Sequence, residues 1–228
     1  MFKIILLVLP FILITAPQMW VRYIFEKYDK EIDDMPFNGL DFGKRILSEN
    51  DLNEIEIETT KEGDHYDTEK KKVRVLEKRM NTKTLTSISI VCHEIGHAIQ
   101  DKENYKPLNT RQSLVKNTYW IQHVGSGVFY IGIPAIFATG MPSLIFVCLG
   151  IALLASFINV LIHFVTLPVE IDASFNRAMP ILEKNVPEHY LGHCRSILKA
   201  AAYTYLAGSL ISIFNLRNLF IAFKSLRR

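Results

Sequence analysis

Cys92-His93-Glu94-Ile95-Gly96-His97-Ala98-Ile99-Gln100 allows one local conformation if its polar groups are to act together, and that conformation is an α-helix. Residues four apart on a helix share a face one turn apart, so His93 and His97 can both offer a ring nitrogen to one metal ion. Glu94 is rotated roughly 100° from His93, beside the ion and outside its coordination shell. There it can take a proton from water and pass it to a leaving amine. Ile88, Val91, Ile95 and Ile99 form an apolar stripe at helical spacing, and Gly96 and Ala98 permit close packing around the second histidine. Asn81, Thr82, Thr84 and Thr86 offer caps upstream, and Pro107 ends any continuation downstream. The expected cofactor is Zn2+.

Apolar residues make up 49% of the 228 positions, and they gather in long runs that lack charge, the pattern of a membrane protein. The net charge of +3 is mild and acids alternate with bases through the polar part, so nothing argues for nucleic acid. Lys70-Lys71-Lys72 with Arg74 reads as a solvated turn. Cys92, Cys148 and Cys194 have no paired spacing and read as free thiols.

Residues 1–22 read as a transmembrane anchor: Ile4 to Trp20 is free of charge, with Trp20, Arg22 and Tyr23 at its end. A cleaved signal peptide is the competing reading, opposed by Ile14 at the position that wants a small residue before Ala16. Residues 23–118 read as a water-facing α+β domain carrying the histidine helix. Within it Asp41–Ser48 suits a short helix. Ile55–Thr59 and Lys72–Val75 alternate with period two and suggest a hairpin or small sheet, and its edge could hold an extended peptide. His65 and Asp67, in the turn-rich link between them, are read as holding their own backbone in preference to a metal. Residues 119–166 read as a transmembrane hairpin (Ile121–Ala138 and Ser143–Val165) reversing at Gly140-Met141-Pro142, with Asn159 and His163 as its polar members. Residues 197–228 read as a final spanning or interfacial helix, with Lys224, Arg227 and Arg228 at the end.

A catalytic zinc takes three protein ligands. Residues 167–196 supply the third candidate, Glu170 in Leu167-Pro168-Val169-Glu170-Ile171-Asp172-Ala173-Ser174. Pro168 suits the first turn of a new helix that Thr166 can cap, which would place Glu170 at the foot of the preceding span. Ala173 and Ser174 leave room for the histidine helix against the same face. Asp172, about 160° round from Glu170, ranks below it, with His163, His189 and His193. Arg177 is a candidate to orient or neutralise Glu170. Tyr66, Tyr190, His193 and Tyr205 are candidate donors to an oxyanion.

These segments together resemble the YugP-type neutral zinc metallopeptidases, membrane proteases of bacteria. The resemblance runs through Asp64-His65-Tyr66-Asp67, Lys72-Val73-Arg74-Val75, His93–Gln100, Leu167–Ser174 and Ala200–Tyr205. Thr68 and Ile171 depart from the family pattern, where proline and phenylalanine are expected. The resemblance implies His93, His97 and Glu170 as zinc ligands and Glu94 as the base, a gluzincin-like arrangement. The expected fold is a mainly α membrane protein of about four apolar helices. It would carry a small α+β zinc-metalloprotease-like domain containing a short β-hairpin or sheet. The expected function is a zinc endopeptidase acting on peptides or membrane proteins at the surface of a bacterial cell membrane, with the zinc side cytoplasmic. A scaffold or adaptor pinned by zinc is the alternative. Ion transport is a third reading, opposed by the lack of a carboxylate partner for Asn159 and His163.

Overall fold

Thr84 begins the helix on which His93, Glu94 and His97 lie. Its hydroxyl oxygen accepts from Ser87 N–H at 3.0 Å and its own proton goes to Asp29 Oδ1 at 3.0 Å. The computed structural model describes residues 2–139 and 144–204, with side chains from Thr15 onward apart from a few positions in 126–139. The chain divides into two units, Met1–Asn109 with Leu167–Tyr205, and Thr110–Thr166 with Leu206–Arg228.

In the first unit, α1 (Phe2–Lys27) leads to α2 (Gly39–Glu49), which covers the segment expected to be helical and buries Phe42, Ile46 and Leu47. The three strands β1 (Glu56–Thr60), β2 (His65–Asp67) and β3 (Lys72–Leu76) follow, then the short α3 (Glu77–Asn81) and α4 (Leu85–Lys102). Every residue of α4 from Leu85 to Gln100 is buried. The expected stripe of Ile88, Val91, Ile95 and Ile99 is there, but the opposite face is covered as well, against α2 and the segment after α7 (below). Asn104, with φ of +54°, turns the chain after α4, and Pro107 sits in the first turn of α5 (Lys106–Gly127).

The sheet order is β1-β3-β2. β1 runs parallel to β3, with Ile57 opposite Val73, so the two alternating segments do not form a hairpin with each other. The segment read as a turn-rich link is itself β2, which takes the antiparallel place on the other side of β3. Val73 and Val75 point into the core, while Lys72 and Arg74 on the opposite face pair with Glu56 at 2.9 Å and Asp67 at 3.0 Å. His65 and Asp67 behave as local turn formers. His65 Nδ1 lies 2.8 Å from Gly63 O, and Asp67 Oδ1 accepts from the backbone of Glu69 and Lys70.

The second unit holds the end of α5, a π-helical turn (Val128–Gly132), α6 (Ile133–Thr139) and most of α7 (Leu144–Ile171). Two expectations fail in α7. Pro168 does not open a new helix, and Thr166 caps nothing. The helix passes through Pro168, and the Thr166 hydroxyl donates to Ile162 O at 2.7 Å. Proline removes one helical hydrogen bond without obliging the chain to stop, provided neighbours pack around it. The chain then widens into a π-helical segment (Asp172–Ala178) before α8 (Met179–Asn185) and a last described helix, α9 (188–204).

The expectation of about four apolar helices is corrected. Among the described residues one helix is long and apolar enough to cross a membrane, the continuous run Leu144–Asn185 with a mean hydropathy of 2.7. Its exposed side chains include Phe146, Val147, Leu154, Phe157 and Phe164, which suits contact with lipid. Residues 121–138 do not form one uninterrupted α-helix, because the π turn breaks them, and Gln122 and His123 dilute their apolar character. The Gly140-Met141-Pro142 reversal and most of the final segment lie outside the described residues.

The π segment matters because α4 lies on it backbone to backbone. A Cβ built at Gly96 would come within 2.7 Å of Ala173 O. Gly96→Val is therefore expected to lower stability by about 1–3 kcal/mol, the usual cost of overpacking. Thermal unfolding in detergent reads this as a fall in Tm, and an unchanged Tm would show that the two backbones are not in contact.

Candidate metal centre

His93 and His97 project from α4 toward the last turn of α7, where Glu170 meets them. Glu170 Oε2 is 3.2 Å from His93 Nε2 and 3.4 Å from His97 Nε2, and the imidazoles lie edge to face with centroids 4.8 Å apart. One ligand atom from each of the three residues falls within 4.8 Å of the others, and all three side chains are buried.

The outward nitrogens of both rings are held by hydrogen bonds, and at His97 the partner also fixes which atom carries the proton. Gln100 Nε2 donates to Val169 O at 2.9 Å and to Asp172 Oδ2 at 2.8 Å. With its amide group so committed, Gln100 Oε1 faces His97 Nδ1 at 3.0 Å and can only accept, so Nδ1 carries the hydrogen. His93 Nδ1 lies 3.1 Å from Ser174 Oγ, which is itself 3.4 Å from Leu198 O, so this ring is held in place by a hydroxyl that can give or take the proton. His97 Nε2 then turns a lone pair toward a carboxylate oxygen, with His93 Nε2 beside it. Two imidazole nitrogens and a carboxylate converging in a buried space suit a positive charge among them. Two imidazole nitrogens and one carboxylate are a donor set that suits zinc, so the residues present fit the metal. With no metal bound, burial pulls the His97 imidazole down, but Glu170 outweighs burial and raises it to about 9, so the carboxylate favours positive charge at this ring.

Glu94 is buried beside its neighbours on α4 and is not among the three converging ligands. Burial pushes its carboxyl up, the two imidazoles pull it back, and Glu170 and Asp64 push it up again, leaving a net rise. A carboxylate made more basic in this way is better matched to taking a proton near neutral pH.

The other candidates lie elsewhere. Asp172 is not one of the three converging residues. It accepts from Gln100, from Asn176 Nδ2 at 2.8 Å and from Arg177 Nε at 3.2 Å, and so supports His97 through Gln100. Arg177 does not reach Glu170. It bridges Asp172 and Glu103, the latter at 2.6 Å, because the π segment rotates it off the Glu170 face. Tyr66 gives its hydroxyl to Asp101 at 2.8 Å and Tyr190 to Asp34 at 3.4 Å, while His193 stacks on Tyr28 with centroids 4.7 Å apart. Tyr205 lies outside the described residues. His163, His189 and His193 are not in the cluster. The sequence reading missed the roles of Gln100 and Ser174. A signal was present for both, since Gln100 is three residues after His97 and Ser174 four after Glu170, the spacings that share a helix face.

This is the kind of centre found in proteins that hold a single zinc between a His-x-x-x-His helix and a carboxylate from a second helix. The chain belongs to the family described as "putative neutral zinc metallopeptidase", whose model matches residues 3–224. It is 34% identical over 205 residues to the "putative membrane protease YugP" of Bacillus subtilis (strain 168), covering 87% of this chain and 86% of the relative. The family is one of zinc peptidases, and zinc is the cofactor of this chain. No solved structure matches.

Proposed function

We propose that the protein is a membrane-embedded zinc endopeptidase in which His93, His97 and Glu170 hold the metal and Glu94 is the general base. The observation that carries this reading is the convergence of three buried candidate ligands, with both imidazoles held from behind. Zinc bound there supplies a Lewis acid that acidifies water and polarises a peptide carbonyl. Glu94 takes the proton from the attacking water and delivers it to the leaving nitrogen. Gln100 and Ser174 keep the rings oriented throughout, and Asp172 holds Gln100. The edge of the small sheet offers backbone donors and acceptors to an extended substrate.

Glu170 closes the same helix that supplies the apolar run, which supports cleavage at a membrane surface and membrane proteins as substrates. A cytoplasmic site is supported by Arg22, Lys27, Lys30, Arg111, Lys116 and Arg195 near the apolar segments and by the free Cys92, Cys148 and Cys194. Against the scaffold alternative, the cluster among the described residues holds three ligating side chains, which leaves a fourth position for substrate or water.

The test is cleavage of a single-span membrane protein by the purified chain in detergent. Chelation is expected to abolish cleavage and added zinc to restore it. Cleavage that persists in chelator, at full rate and with no metal detected, would refute a zinc peptidase.

A further inference from the structure

On the first unit, five large apolar side chains are exposed among the described residues: Met19, Trp20, Tyr23, Ile171 and Tyr203. Trp20, 39% exposed, and Tyr203, 40% exposed, meet edge to face with ring centroids 6.2 Å apart, which puts one level of α1 beside one level of α9. Both helices change character there. In the sequence no charged residue occurs from Ile4 to Val21, and Arg22 is the first. In α9 the last charge is Lys199, and the next in sequence is Arg217. The polar side of this level carries lysines laid over aromatic rings, Lys27 over Tyr23 at 5.9 Å and Lys199 over Tyr203 at 5.5 Å. Val21 and Ile24, on the other side of α1, are buried in the core, so Met19, Trp20 and Tyr23 form an outward face.

We infer that this Trp20–Tyr203 level is seated in the headgroup layer of a phospholipid bilayer. Tryptophan and tyrosine favour that layer because their rings are apolar and their N–H and O–H groups reach water. Lysines on the water side meet lipid phosphates, and their stems lie along the rings.

The seat fixes how near the metal centre lies to the lipid. Ser174, which holds His93, bonds to Leu198 O, and Tyr203 is five residues further along the same helix. Five helical residues rise about 7.5 Å. The centre therefore lies within roughly two helical turns of the headgroups. Resting on the peptidase reading, this narrows the substrate to a bond within a few extended residues of a membrane-spanning segment, since each extended residue covers about 3.3 Å.

The chain has two tryptophans, Trp20 and the exposed Trp120, so Trp120→Phe leaves Trp20 as the sole reporter. The full-length variant is reconstituted into phosphatidylcholine vesicles containing lipid brominated either near the glycerol end or near the tip of its chains. Trp20 emission is expected to fall more with the first lipid than with the second. Greater quenching by the deep bromines, or none by either, would overturn the headgroup assignment. An emission that responds to protein dilution and not to bromine would give this face to a second copy of the chain. This readout is independent of zinc and cleavage, so it can fail or succeed separately from the peptidase reading.

Discussion

Glu94→Gln is expected to lower peptide cleavage by about 10²- to 10⁴-fold, the range that proton transfer by a placed side chain contributes, while zinc stays bound. Glutamine keeps the shape of the side chain and removes its ability to take a proton. Glu94 lies outside the three converging ligands, so the donor set is untouched by the change. Metal content measured on the same preparation separates the two effects. Retained cleavage would remove Glu94 from the mechanism, and joint loss of metal and cleavage would make it a ligand.

Glu170→Ala should act in the opposite order, through the metal. Glu170 brings the only negative charge among the three converging side chains and is 1% exposed on its side chain. Its removal leaves two neutral imidazoles on one helix, one ligand short of a catalytic zinc site. Zinc per chain is expected to fall from about one to near zero in the presence of a competing chelator. Gln100→Leu provides the graded comparison. It keeps all three ligands but frees the His97 ring to rotate or change tautomer, and such supporting residues are worth about 10- to 100-fold in metal affinity. Equal affinity in wild type and Glu170→Ala would place the zinc elsewhere, and equal affinity in Gln100→Leu would mean that packing alone orients His97.

Local rules alone were enough to place His93 and His97 on one face of α4. Two histidines four apart with an acid between them have one geometry on a helix, because helical spacing is set by local backbone hydrogen bonds and needs no partner. The sequence also carried Glu170, through its small neighbours Ala173 and Ser174 and through the family pattern. The family resemblance was legible because its motifs are short and contiguous.

What needed the tertiary structure is non-local. Strand pairing depends on which segments meet, so β1 and β3 were recognisable as strands, but their parallel alignment and the insertion of β2 were not. Pro168 reads as a helix start by local rules, yet α7 carries on through it because neighbouring contacts absorb one missing hydrogen bond. The following π segment changes the helical phase, so Asp172 and Arg177 face partners that α-helical counting does not assign. Most of all, Ser174 and Gln100 hold the His93 and His97 rings and Gln100 sets the His97 tautomer, its amide being itself oriented by Val169 and Asp172, 69 and 72 residues away. A local pattern can name metal ligands, but the direction of their lone pairs is decided by hydrogen bonds that only folding brings together.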